Sequence, residues 1–107
     1  MAKQITPTES VTLCDNYDAK HTYLTKLIKK EDNRSGYLSI KDLEDYLSYI
    51  KESNQEIDGI RIYLGSNDDT DLTTFFIAPT SNEKDNTTLN ALNRFISGNP
   101  SNKKYTL

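Results

Sequence analysis

Between Val11 and Ile28 the apolar positions fall three or four residues apart: Val11, Cys14, Tyr17, His21, Leu24 and Ile28, with Leu13 and Leu27 widening the stripe. That spacing predicts one face of an α-helix. Its start is marked by Thr6-Pro7-Thr8-Glu9. Thr6 suits the N-cap, Pro7 sits at the first helical position where its missing N–H costs nothing, and Glu9 completes a capping box. The predicted helix covers Pro7 to Lys30, with a break expected near Asp15–Asp18, where two Asp and an Asn lower helix propensity.

The polar run Glu31 to Gly36 ends that pattern, and Ser39 with Asp42 then forms a second capping pattern. Leu43, Tyr46, Leu47 and Ile50 share a helical face, so a second helix is predicted from Ile40 to Ser53. Between the two helices, Gly36–Ser39 has room only for an extended link or an edge strand. From Ile57 onward the period changes from 3.6 to 2. Ile60, Ile62 and Leu64 alternate with Arg61 and Tyr63, which predicts a strand that buries its aliphatic face. Ser66–Asp71 reads as a loop and Leu72–Pro79 as a second strand, together a β-hairpin closed by Pro79. The polar stretch Pro79–Asn86 reads as a connection. Leu89, Leu92, Phe95 and Ile96 are helically spaced, with Asn86 or Thr87 as cap and Gly98 and Pro100 at the end, so a C-terminal helix is expected. Residues 101–107 are expected to form a mobile tail.

These elements predict an α+β fold in one domain spanning residues 1–107, with the apolar stripes of the first two helices covering the hairpin. A two-stranded hairpin is marginal in water without such cover. An unpaired edge on so small a sheet invites a partner strand, which makes a homodimer one expected outcome.

Composition narrows the function classes. The net charge of −3 and the scattered Lys and Arg argue against nucleic acid, whose binders concentrate a basic face. The one basic cluster, Lys26, Lys29 and Lys30, ends a predicted helix, where the dipole favours cations. Cys14 is the single cysteine, so no intramolecular disulfide can form. The first ten residues lack the apolar core of a signal peptide, and no apolar run approaches a membrane span, so the cytoplasm is the expected compartment. Seven Tyr against three Phe and no Trp suggest a core finished at its rim by phenol rings.

The nearest thing to a chemical motif is Glu31 to Asp42. With Gly36 at the sixth position of a twelve-residue calcium loop, Glu31 falls at position one, Asn33 at three, Ser35 at five, Tyr37 at seven and Asp42 at twelve. The end carboxylates are interchanged: position one favours the shorter Asp, and position twelve a Glu long enough to bind through both oxygens. Calcium affinity is therefore expected to be weak or absent. A turn followed by a helix cap explains Gly36, Ser39 and Asp42 without a metal. Asp68, Asp69 and Asp71 crowd the hairpin loop, where turn preference alone favours them; with Arg61 and Tyr63 they are the candidate interaction surface. Cys14 and His21 lie about 10 Å apart along the helix axis, too far for a nucleophile–base pair, and both fall on the apolar stripe. No cofactor motif occurs.

The segment Gly59-Ile60-Arg61-Ile62-Tyr63, after a helix of the type Ser39–Leu47 and before a second apolar strand ending Ala78-Pro79-Thr80, resembles small uncharacterised bacterial proteins of Bacteroidetes type that carry a Gly-[Ile/Val]-Arg-[Ile/Val]-Tyr strand. The likeness covers Gly36 to Thr80. Members of that group often end in a Cys-Pro-Pro-x-Cys-like segment, which this chain lacks. The resemblance implies a fold and a bacterial source, and no activity. The expectation for function is a non-enzymatic module that binds a protein partner or itself, with a weak calcium- or small-ligand-binding domain as the alternative.

Overall fold

The computed structural model describes residues 2–93, 100–101 and 104–106. Over these the fold is α+β, with elements α1 (Pro7–Ile28), β1 (Ser35–Gly36), α2 (Ile40–Lys51), β2 (Gly59–Ser66), β3 (Thr73–Ser81), β4 (Lys84–Asp85) and β5 (Pro100–Ser101). Helix α1 opens as its sequence requires. Thr6 accepts from Glu9 N–H at 3.1 Å, and the Glu9 carboxylate accepts from Thr6 N–H at 3.1 Å. No break interrupts it at Asp15–Asp18. Polar side chains that would compete with helical hydrogen bonds have partners elsewhere: Asp18 meets Arg34 at 2.6 Å and Lys104 at 2.8 Å, and Asp15 meets Lys104 at 3.0 Å. The helix stops at Ile28 because Lys29 turns left-handed, with φ 58°. Ser39 caps α2 by accepting from Asp42 N–H at 3.0 Å.

Strands β2 and β3 form the hairpin, in register from Ser66↔Thr73 to Gly59↔Thr80. Pro79 does not close it. Strand β3 runs on to Ser81, where Asn82 and Glu83, both with positive φ, turn the chain into β4. A proline is tolerated inside this middle strand because its backbone faces away from β2: its carbonyl accepts from Asn86 N–H at 2.8 Å, and its missing N–H removes no bond to β2. The third strand of the sheet is thus β4, and the sheet order is β2-β3-β4. The Gly36–Ser39 link does not join it; Ser35–Gly36 pairs instead with Pro100–Ser101.

Two further expectations are corrected. Residues 86–93 are not helical. Asn86 Oδ1 accepts from the N–H groups of Thr88 at 3.0 Å and Leu89 at 3.3 Å, as a cap would, but the chain then extends, and Leu92 exchanges two backbone hydrogen bonds with Ile77 at 2.9 and 3.0 Å. The rest of the expected helix, 94–99, lies outside the described residues. Of the expected tail, Ser101 belongs to β5 and Lys104 carries the ion pairs to α1, while 102, 103 and 107 are outside the described residues. The second correction concerns β2. Its aliphatic face is not buried: Ile60 is 37%, Ile62 70% and Leu64 68% exposed. Burial goes instead to the middle strand, where Thr74, Ile77, Ala78, Pro79 and Thr80 are all buried.

The core joins α2 to that strand. Tyr46, Ile50 and Ile77 are buried together, with Leu38, Leu43, Leu47, Ile57, Leu89 and Leu92 packed around them. Tyr46 carries its hydroxyl inward and donates to Asn90 O at 2.8 Å. Burial raises its pKa above the ordinary phenol value. Helix α1 is tied on differently, through polar contacts that run from Asp15 to the junction after its C-terminal end. Among the described residues no helix is long and apolar enough to cross a membrane.

Candidate functional site

Two places in the fold concentrate side chains of functional interest: the junction after α1, which holds the calcium-like spacing, and the sheet around β2. At the junction the backbone turns so that Asp32, 1% exposed, points at the start of β3. Its carboxylate accepts from Thr73 N–H and from the Thr73 hydroxyl, each at 2.7 Å. Its own N–H donates to Thr25 Oγ1 at 3.1 Å, and its carbonyl accepts from His21 Nε2 at 2.7 Å. His21, 3% exposed, is therefore held as a donor by the chain that follows its helix. Asn33 adds a bond from its amide to Thr73 O at 2.8 Å, and Lys30 reaches Thr70 O at 2.7 Å.

Of the residues with calcium-loop spacing, Asn33 is employed in holding the junction to the hairpin, and the others stand in different settings. Asn33 faces Thr73, Ser35 lies in β1, Tyr37 is 65% exposed, Asp42 supplies a capped N–H to α2, and exposed Glu31 lies 3.9 Å from His21 Nε2. The carboxylate buried here belongs to Asp32, the second position of the spacing, which a calcium template leaves without a role. Among the described residues no group of three or more His, Cys, Asp or Glu is set to hold a metal ion.

Around β2, Arg61 and Tyr63 lie on one face with Ala78 and Phe76 opposite. The Tyr63 ring stacks on Phe76 with centroids 5.1 Å apart. Its hydroxyl bonds to Asp85 Oδ2, and the Arg61 guanidinium reaches Asp85 Oδ1 at 3.4 Å and Glu83 O at 2.7 Å. This cluster borders a cavity of about 520 Å³ lined by Tyr63, Phe76, Asp85 and Leu89 among others. Asp85 is its one charged lining residue, and both of its oxygens already have protein partners. The cluster is a brace between β2 and β4. Asp68, Asp69 and Asp71 are not part of it. They lie in the loop beyond Ser66, five residues or about 17 Å along β2 from Arg61. The interaction surface expected from the sequence is therefore two separate places.

The opposite face of β2 carries Ile60, Ile62 and Leu64, and the hydrogen-bond pattern of the sheet fixes what their backbone does. In an antiparallel ladder a residue's N–H and C=O point to the same side, and opposed residues alternate between hydrogen-bonded and non-hydrogen-bonded pairs. Ile77 gives both groups to Leu92, so its pair with Ile62 is of the second kind. Pro79 directs its carbonyl to Asn86, so its pair with Ile60 is too. The N–H and C=O of Ile60 and Ile62, and of Leu64 by alternation, therefore face away from β3. Among the described residues no strand lies on that side. An eight-residue strand thus offers three rungs of main-chain donors and acceptors beside three exposed aliphatic side chains. Ile60 continues this stripe into a shallow pocket with Leu47, Ile50 and Ile57.

No family model matches this chain, and neither does a curated protein or a solved structure.

Proposed function

We propose that this protein is a non-enzymatic binding module that accepts an extended strand along the outer edge of β2. The observation that carries this reading is the outward-facing backbone of Ile60, Ile62 and Leu64, together with the exposure of their side chains. Sheets that avoid partners blunt such an edge with lysine, proline or a bulge; between Gly59 and Ser66 there is one charged residue, Arg61, and its charge is engaged by Asp85. In strand addition, main-chain hydrogen bonds supply affinity and alternate side chains supply selectivity. The aliphatic stripe here selects apolar residues at every second position of the partner.

Selection of a random peptide library on the immobilised protein tests this. Enriched peptides should alternate apolar and polar residues, and Ile62→Lys with Leu64→Lys should abolish their binding while leaving the far-ultraviolet circular dichroism of the chain unchanged. Enrichment without alternation, or binding indifferent to the double substitution, would dismiss the edge as the site.

A further inference from the structure

Resting on that reading, we infer that the strand received by β2 is the β2 of a second copy, antiparallel about a two-fold axis through Ile62. The strand Gly59-Ile60-Arg61-Ile62-Tyr63-Leu64-Gly65 reads the same in side-chain type from either end, apart from the exchange of Arg61 for Tyr63. A two-fold axis at Ile62 sets Ile62 against its own copy, Ile60 against Leu64 of the second chain, and Gly59 against Gly65. All six aliphatic side chains then fall on one face as a continuous stripe. No other two-fold register within the strand does this: centring on Tyr63 places Ile60 opposite Ser66.

Backbone geometry agrees with the side chains. Ile60, Ile62 and Leu64 are the residues whose N–H and C=O face outward. In the Ile62-centred register these residues oppose one another, so each pair exchanges both hydrogen bonds. On the other face Arg61 comes opposite Tyr63 of the second copy, a guanidinium beside a phenol ring, which is a favourable pair. The two arginines of the dimer lie diagonally apart, and each is already balanced by its own Asp85. The contact is isologous, so it closes on itself, and the two three-stranded sheets become one of six strands.

Sedimentation equilibrium over a concentration series should show a species of twice the 12.2 kDa chain mass. Ile62→Lys with Leu64→Lys should weaken the association at least 100-fold. Register is read by single cysteines placed in a Cys14→Ser background under mild oxidation. Ile62→Cys should form an intermolecular disulfide, because opposed residues stand about 5.5 Å apart at Cα. Ile60→Cys and Leu64→Cys should not, because each lies about four residues from its own copy across the axis. A chain that stays monomeric while still binding alternating peptides overturns the second-copy inference and leaves strand addition standing. A monomer that binds no such peptide removes both. A dimer that cross-links through position 60 or 64, or that survives the lysine substitutions, refutes the register or the surface.

Discussion

Asp32→Ala isolates the joint between α1 and the hairpin. The substitution deletes a carboxylate that accepts two hydrogen bonds of 2.7 Å from one residue, Thr73, and leaves untouched the main-chain bonds of residue 32 to Thr25 and His21. A hydrogen bond to a charged group is worth about 1.5–3 kcal/mol net. Thr73 is half-buried, so water can recover part of the loss, and about 2–4 kcal/mol is expected for the pair. That is a large share of the roughly 5–15 kcal/mol that holds a domain of this size folded, and corresponds to a fall in Tm of about 10–20 °C. Asp32→Asn separates hydrogen bonding from charge. Its amide oxygen can still accept from Thr73 N–H, and its NH₂ can donate to the Thr73 hydroxyl, so about 1 kcal/mol should be lost. Urea unfolding followed by circular dichroism measures both. An alanine variant within about 0.5 kcal/mol of the parent would refute the account, since that is the range of inconsequential surface changes. So would an asparagine variant as damaged as alanine, because charge rather than hydrogen bonding would then hold the joint.

Two further outcomes follow from other contacts of the fold. Asp58 is held below its ordinary pKa of 3.8, first by the Thr80 hydroxyl at 2.6 Å and then by Glu83 N–H at 2.9 Å. A depressed carboxyl stabilises the fold fully above that ordinary value and loses its contribution as pH falls through the folded one. Asp58→Asn should therefore flatten the loss of stability measured by urea unfolding between about pH 5 and pH 2; an unchanged acid limb would contradict this. Calcium at about a hundred times a micromolar Kd would stabilise the fold by roughly 2.7 kcal/mol if the Glu31–Asp42 loop bound it. With Asn33 engaged at Thr73, the melt should not move, and a rise of several degrees that Asp42→Ala removes would restore the loop as a cation site.

How much of this the sequence reveals depends on whether a feature is local. The start of α1 was readable because Thr6, Pro7 and Glu9 act within one turn, and Ser39 announced α2 in the same way. The alternation of β2 was equally legible. How far that face is covered was not, because period two gives the sides of a strand without saying which strand a helix sits over: Ile62 shares its face with Ile77, yet α2 packs over Ile77 and the neighbouring strand takes the burial. Leu89 and Leu92 misled for a related reason: a spacing of three suits a helix, yet a backbone partner at Ile77 draws Leu92 into an extended bridge. The candidate site was half legible. Arg61 and Tyr63 belong together through Asp85, a residue remote in the chain, while Asp32 bore no signal, since its partner Thr73 is 41 residues away.

The sheet is unequal at its two sides. Beyond β3 lie the two-residue β4, its left-handed turn and the Leu92 bridge, so the hydrogen-bonding positions of Ile77 and Pro79 there are already occupied. Beyond β2 no strand among the described residues takes the outward groups of Ile60, Ile62 and Leu64. On the proposed reading the described residues make, in polymer terms, a monofunctional unit: one end that takes a strand and one already occupied. Whatever strand adds at Ile62, growth stops with that addition, which separates this edge from the bifunctional strands that propagate into fibrils.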